Sequence, residues 1–292
     1  MIPAWVDRSE YPFSPRRIEV EGLGISYVDE GEGPTLLMVH GTPSWSFLYR
    51  HLVRGLRDAF RCVALDLPGF GLSDKPAGDA YRPEDQARRL TRFIDALGLR
   101  DVTLVVHDFG GPIGLAHALE RPDDVRSLVL FNTWMWSLAD DRRHARLGRA
   151  LATPVGRVLY ERAGLSVNAL WRPAVRDARY TPAVHAQYAA PLRDRAARHA
   201  TWIYARELIG SSAWFDALWR RRRRIAQVPA LLVWGSRDPA FAAALARWRG
   251  VFTEAEVVEW RDVGHAPPEV RGRESAALIR RFLERARTRR TA

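Results

Sequence analysis

The sequence predicts an α/β protein, with a mostly parallel central sheet flanked by helices and a helical cap inserted between two core strands. Three observations predict it. Short apolar runs of strand length recur along the chain. Segments with apolar residues at helical spacing separate them. The alternation then stops between about Thr133 and Ala213, and afterwards resumes. Strands alternating with helices pair in parallel, with the crossover helices covering both faces.

The elements follow in order. RRIEVEGLGISYVDEGEGP reads as two antiparallel strands around Gly22–Gly24, closed by a Gly/Pro turn. TLLMVHG and RCVALDLPG are short apolar runs that suit strands buried on both faces. Over residues 82–98, Ala87, Leu90, Phe93, Ile94 and Leu97 recur at helical spacing and stop at Gly98. DVTLVVHD is a third buried strand, followed by the helix-like GGPIGLAHALERP. SLVLFN, PALLVWGSRD and EAEVVEW read as the fourth, fifth and sixth strands of this kind. DPAFAAALARWRG and EVRGRESAALIRRFLERAR read as helices. The stretch 133–213 is rich in Arg, Trp and Tyr and is interrupted by Pro154, Pro173, Pro182 and Pro191. It reads as a helical cap over the carboxyl ends of the strands, where open α/β sheets bind ligands. Residues 1–132 and 214–292 then form the core domain, and 133–213 the cap domain.

Composition narrows the class. Of 292 residues, 47% are hydrophobic and 27% charged, which excludes disorder, collagen and a disulfide scaffold. No apolar run reaches the ~18–20 residues of a membrane helix, and no membrane partner is expected. The net charge is +11, and Lys75 is the only basic residue of the 45 that is not arginine. Such a balance raises nucleic acid as a partner. Its best feature, Arg220–Arg224 after Trp219, reads instead as a solvated helix end, and no nucleic acid is expected. The single cysteine, Cys62, sits in an apolar run and reads as a small buried hydrophobe, without metal-ligand companions. The N-terminal segment has acids and prolines where a signal peptide has an apolar stretch, so a cytoplasmic location is expected.

Four segments end buried strands and carry chemically capable residues: HGTPSW, HDFGG, GSRDP and VGHAPPE. VVHDFGGPIGL is a strand, a sharp turn with two glycines, and a helix. That is the context of a nucleophile elbow, with Asp108 at its apex where serine is common. The simpler reading makes Asp108 a helix cap. His265 is the candidate base. Asp238 lies 27 residues before it and can orient its far ring nitrogen, although it too can cap a helix. The backbone N–H groups of Thr42 and Phe109 are the expected oxyanion hole. His40 reads as a structural histidine of the HGTP turn.

Together HGTPSWSFLYR, DLPGFGLSDKP, VVHDFGG, GSRD and VGHAPPE resemble the α/β-hydrolase superfamily, and more closely the haloalkane dehalogenases and their relatives. The likeness spans essentially the whole chain. It implies Asp108 as nucleophile, His265 as base and Asp238 as acid. Asn132 sits where another group of the family has Glu, which favours Asp238 as the acid.

An Asp nucleophile suits displacement at a saturated carbon, because attack on an acyl carbon gives a reactive anhydride. The expected substrate is a small apolar organic molecule that reacts with water without a metal or organic cofactor. Alkyl halides and epoxides are the two obvious classes. A halide needs N–H donors, and the family usually has Trp after the nucleophile and Asn after the HG pair. This chain departs from that pattern with Phe109 and Thr42. Trp134, Trp136, Trp171 or Trp202 can supply an indole donor instead. Tyr160, Tyr180, Tyr188 and Tyr204 are the cap tyrosines for an epoxide. A non-catalytic binding protein remains as a third reading, opposed by the joint presence of Asp108, Asp238 and His265.

Overall fold

A computed structural model describes residues 2–291. Its sheet has eight strands: β1 (Arg16–Val20), β2 (Leu23–Glu30), β3 (Thr35–Val39), β4 (Arg61–Leu65), β5 (Val102–His107), β6 (Val125–Phe131), β7 (Ala230–Gly235) and β8 (Glu256–Trp260). Their order is β1-β2-β4-β3-β5-β6-β7-β8. β1 pairs antiparallel with β2, and β2 with β4; all later pairings are parallel. β5 and β7 are buried along their whole length, as apolar runs covered on both faces must be. β1 and β8 are the edge strands; β8 is the one beside the C-terminal helix. Its Glu256 and Glu259 keep it half-exposed, and Glu256 is paired to Arg285, so this edge is charged and blunted.

Eleven helices other than the C-terminal one are α1 (Arg50–Leu56), α2 (Pro83–Ala96), α3 (Gly110–Glu120), α4 (Arg142–Leu151), α5 (Pro154–Glu161), α6 (Arg172–Val175), α7 (Pro182–Ala189), α8 (Arg195–Gly210), α9 (Ser212–Arg220), α10 (Ala244–Arg249) and α11 (Pro267–Val270). The last, α12, spans Gly272–Thr291. Successive strand side chains point to opposite faces. Leu37 and Val39 therefore join Leu90, Phe93 and Ile113 of α2 and α3, while Leu36 and Met38 join Leu52, Ile279 and Phe282 of α1 and α12. Among the described residues, no helix is long and apolar enough to cross a membrane.

The stretch between β6 and β7 carries α4 to α9 and no strand. α4 and α5 pack on α8, whereas α9 packs on α3 at the side of the sheet. The segment 238–250 differs from expectation. Only Ala244–Arg249 is α-helical there, because Asp238 takes the N–H of Ala240 and Phe241 spends its carbonyl on the Trp234 indole. The Arg220–Arg224 run ends α9 and continues as a 3₁₀ turn. Arg221 donates to the Leu119 carbonyl and Arg222 lies 4.7 Å over the Trp219 ring, so the run forms no continuous basic face.

Candidate active site

The site is built on the carboxyl ends of β3, β5, β6 and β7 and on the loop after β8. β5 ends at His107, and Asp108 follows with φ +53°, a left-handed conformation rare for a branchless acid outside special turns. Two glycines make the turn possible. A Cβ on Gly110 would collide with the Val39 carbonyl, and one on Gly111 with the Thr133 hydroxyl. Asp108 does not cap α3. Its Oδ1 accepts the Thr42 N–H at 2.9 Å, while Thr133 Oγ1 donates to its carbonyl at 2.6 Å.

His265 Nε2 lies 3.5 Å from Asp108 Oδ2, and His265 Nδ1 lies 2.9 Å from Asp238 Oδ2. A carboxylate only accepts, so Nδ1 carries the proton in that bond. Asp238 also accepts the Ala240 N–H at 2.7 Å; it orients the histidine and closes its own turn. Burial alone favours a neutral His265, but the charges of Asp238 and Asp108 and the bonds to them outweigh it and push the imidazole up to about 10. Burial likewise works against the Asp238 charge, yet His265 beside it holds the carboxyl below its usual range.

Two supporting residues complete this arrangement; His107 escaped the sequence reading, and Asn132 entered it only as the residue standing where another group of the family has Glu. His107 Nε2 donates to the His265 carbonyl at 2.8 Å, and burial, then the His265 charge, push its own ring down to about 4. The N–H of His265 donates to Ala174 O at 2.8 Å. The backbone at His265 is thus gripped from the sheet and from α6. Asn132, with φ +26°, donates Nδ2 to Asp238 Oδ2 at 2.8 Å and to Gly235 O at 3.0 Å, and accepts the Gly235 N–H at 2.8 Å. Its position at a strand end was the available signal; its bond to Asp238 joins residues 106 positions apart. The Asn132→Ala variant is expected to lower turnover about 10–100-fold with the fold retained, because Asp238 loses a buried partner and its aim. Steady-state kinetics with circular dichroism checks this; unchanged turnover in a folded variant would contradict it.

His40 accepts the Leu67 N–H at Nε2 and donates from Nδ1 to Gly41 O, and burial pushes it down to about 4. It is a neutral strut of the turn that carries Thr42.

Asp108, Asp238 and His265 lie at the floor of a cavity of about 300 Å³. Thr42, Phe109, Leu151, Tyr160, Trp171, Tyr204 and Phe241 are among its walls. The four indoles fare differently. Trp171 lines the cavity, its ring edge-on to His265 at 6.0 Å, and its buried Nε1–H interacts with the Tyr180 hydroxyl. Trp134 is not a wall residue: it is fully buried, with Phe109 4.7 Å away on one side and Phe241 stacked on it at 4.4 Å. Trp136 packs on Trp219 and Trp248 with Arg247 over its ring, away from the cavity. Trp202 is also outside it and spends its Nε1–H on Leu151 O at 3.1 Å. The structure therefore corrects the pocket expectation for Trp134, Trp136 and Trp202: tertiary packing turns them away or fills their donors. Of the tyrosines, Tyr160 and Tyr204 line the cavity; the Tyr188 hydroxyl is held by Glu269, and Tyr180 faces His185.

Residues 34–271 match the family described as alpha/beta hydrolase fold. The chain belongs to that family and is a hydrolase. Within it the chain is haloalkane dehalogenase-like. It is 38% identical over 280 residues to haloalkane dehalogenase 2 of Mycobacterium tuberculosis, covering 94% of this chain and 97% of that protein. It is 35% identical over 303 residues to the cis-3-alkyl-4-alkyloxetan-2-one decarboxylase of Xanthomonas campestris pv. campestris, again covering 94% and 97%. The crystal structure of the haloalkane dehalogenase DatA from Agrobacterium tumefaciens superposes with a TM-score of 0.83 at 27% identity, covering 94% of this chain and 97% of that one.

Proposed function

We propose that this chain hydrolyses carbon–halogen bonds of small apolar haloalkanes through a covalent ester on Asp108. The observation that carries the reading is Asp108 itself: a carboxylate at the floor of an apolar cavity, 3.5 Å from the Nε2 of a histidine whose other nitrogen is held by Asp238. Oδ1 is tethered by the Thr42 N–H, which leaves Oδ2 to attack. Attack forms the C–O bond as the carbon–halogen bond breaks, and the halide leaves with the electron pair. Alkylation discharges Asp108, so one of the two carboxylates raising His265 is lost and the ring releases its proton more readily. His265 then takes a proton from water. The hydroxide adds to the Asp108 carbonyl carbon, and the N–H groups of Thr42 and Phe109 receive the oxyanion. Collapse returns the carboxylate and frees the alcohol. The active unit in this reading is a core of residues 1–132 and 214–292, lidded by 133–213.

Leaving-group contacts in the proposal come from two buried donors on wall residues: Thr42 Oγ1–H, which has no partner, and Trp171 Nε1–H, which turns to the halide from the Tyr180 hydroxyl. Phe109 adds only the weakly positive edge of its ring. The Phe109→Trp variant brings an indole N–H beside Asp108 and is expected to raise bromide release from 1,2-dibromoethane or 1-bromobutane about tenfold. Ion chromatography of released bromide measures it.

The same Phe109 favours a second reading, in which the leaving group stays tethered and needs no halide donors. Asp108 opens a cis-3,4-dialkyloxetan-2-one at its ring C–O carbon. The freed carboxylate then leaves as CO₂, its C–C electron pair forms the alkene, and the ester C–O bond breaks to return Asp108. Water is not consumed. Bromide without CO₂ from the respective substrates supports the first reading; alkene and CO₂ without bromide supports the second. Diol from styrene oxide with neither product would point to the epoxide class and sink both.

A further inference from the structure

Among the described residues, the large apolar side chains left exposed all fall in one stretch: Leu147, Val155, Val158, Leu159 and Leu170. Leu147 is on α4, Leu170 on the turn before α6, and the other three on α5. Residues 155, 158 and 159 share one face of α5, while Gly156, Tyr160 and Glu161 face inward. Only two residues separate α4 from α5, and both helices rest on α8. Their outer faces therefore form one surface, and Val155 is 69% exposed on it.

The charge around this patch is mainly positive. Arg142, Arg143, Arg146, Arg149 and Arg162 are exposed beside it. Between Arg142 and Arg172 the only acid is Glu161. That acid is buried and already engaged by Arg157, Arg195 and His199. Asp140 and Asp141, just before α4, are the exposed acids nearest in sequence, and Asp141 accepts the N–H groups of Arg143 and His144; the five outer arginines outnumber them. Leu147 and Leu170 also line the cavity that ends at Asp108, so the apolar patch runs into its mouth. An exposed apolar stripe rimmed by cations matches the interface of an anionic bilayer, where the apolar side chains enter the acyl boundary and the arginines meet phosphates.

We propose that the α4–α5 face docks on the surface of an anionic phospholipid bilayer, and that the cavity mouth opens onto that surface. The chain then draws apolar substrate from the lipid phase. This departs from the sequence expectation of no membrane partner, which concerned spanning helices and could not weigh a folded surface.

The test uses the full chain and unilamellar vesicles of phosphatidylcholine with or without phosphatidylglycerol. Cys62 is fully buried, so an environment-sensitive thiol dye reacts selectively in a Val158→Cys variant. Its emission is expected to shift blue and rise severalfold with the anionic vesicles, and to stay unchanged with pure phosphatidylcholine at low salt. The same dye in an Arg223→Cys variant, on the other basic run, is expected to stay unchanged. A Val155→Asp/Leu159→Asp double variant is expected to weaken vesicle binding at least about tenfold, while hydrolysing a water-soluble substrate as the wild type does, which also shows that it is folded. No response at 158, equal responses at 158 and 223, or unchanged binding by the double variant overturns the proposal. So does a dye at 158 already blue-shifted without lipid in a species of doubled mass, since the face would then be covered by a second copy.

Discussion

The His265→Phe variant is expected to release about one bromide per chain from 1-bromobutane and then stop, with a butyl ester left on Asp108. Displacement needs only the Asp108 carboxylate; hydrolysis of the ester needs a base on water. Phenylalanine fills the volume of the imidazole. The 265 backbone stays in place, because the grips on it from His107 and Ala174 go to the peptide N–H and C=O. Steady-state turnover falls about 10²–10⁴-fold, the usual contribution of a placed base. Intact mass spectrometry and peptide mapping read the adduct. Continued turnover, or a stalled enzyme without an adduct on Asp108, would remove the covalent route.

The Asp108→Ala variant is expected to lose turnover to background, on the order of 10⁶-fold when the group forming the covalent bond is deleted. It has a second signature that separates chemistry from misfolding. His265 is lifted to about 10 although burial opposes it, and Asp108 supplies part of that lift after Asp238. Removing Asp108 lowers the imidazole value, which NMR titration of the His265 ring reports. The stability consequence has a defined sign. A folded-state value raised above 6.5 contributes stability that is fully present below pH 6.5 and is lost as pH rises through about 10. The variant loses part of that contribution, so its stability declines less between pH 6.5 and 10 than the wild type's. A His265 titration unchanged in the folded variant would mean that Asp108 does not act on the ring.

Much of this site is legible in one dimension, for a physical reason. Buried parallel strands announce themselves as apolar runs, and their carboxyl ends must meet at one sheet edge. Asp108, Asp238 and His265 follow three such runs, and His265 comes to lie within hydrogen-bonding or near-contact range of both carboxylates. Sheet order is not so visible. β2 pairs with β4, not with its neighbour β3, because pairing depends on which side a crossover returns. The seven-residue α1 was also missed; it is too short to show a period. The indoles mark the limit. Trp136, Trp171 and Trp202 have the same chemistry in sequence, and only packing decides that one lines the cavity, another meets arginine and a third spends its N–H on Leu151. His107 is similarly silent, and Asn132 signals only its strand-end position and not its bond to Asp238, since their partners lie 158 and 106 positions away.

The bond from His107 to the His265 carbonyl also sets an order of events during synthesis. A nascent chain presents the Asp108 turn long before residue 265 exists, and α12, which packs on α1, is made later than either. Contacts this distant in sequence form late and slowly. Until residue 265 has left the ribosome, the Asp108 carboxylate lacks the histidine that lies beside it in the folded site. In the proposed reaction, a chain cut short before β8 would carry Asp108 without the base that frees its ester.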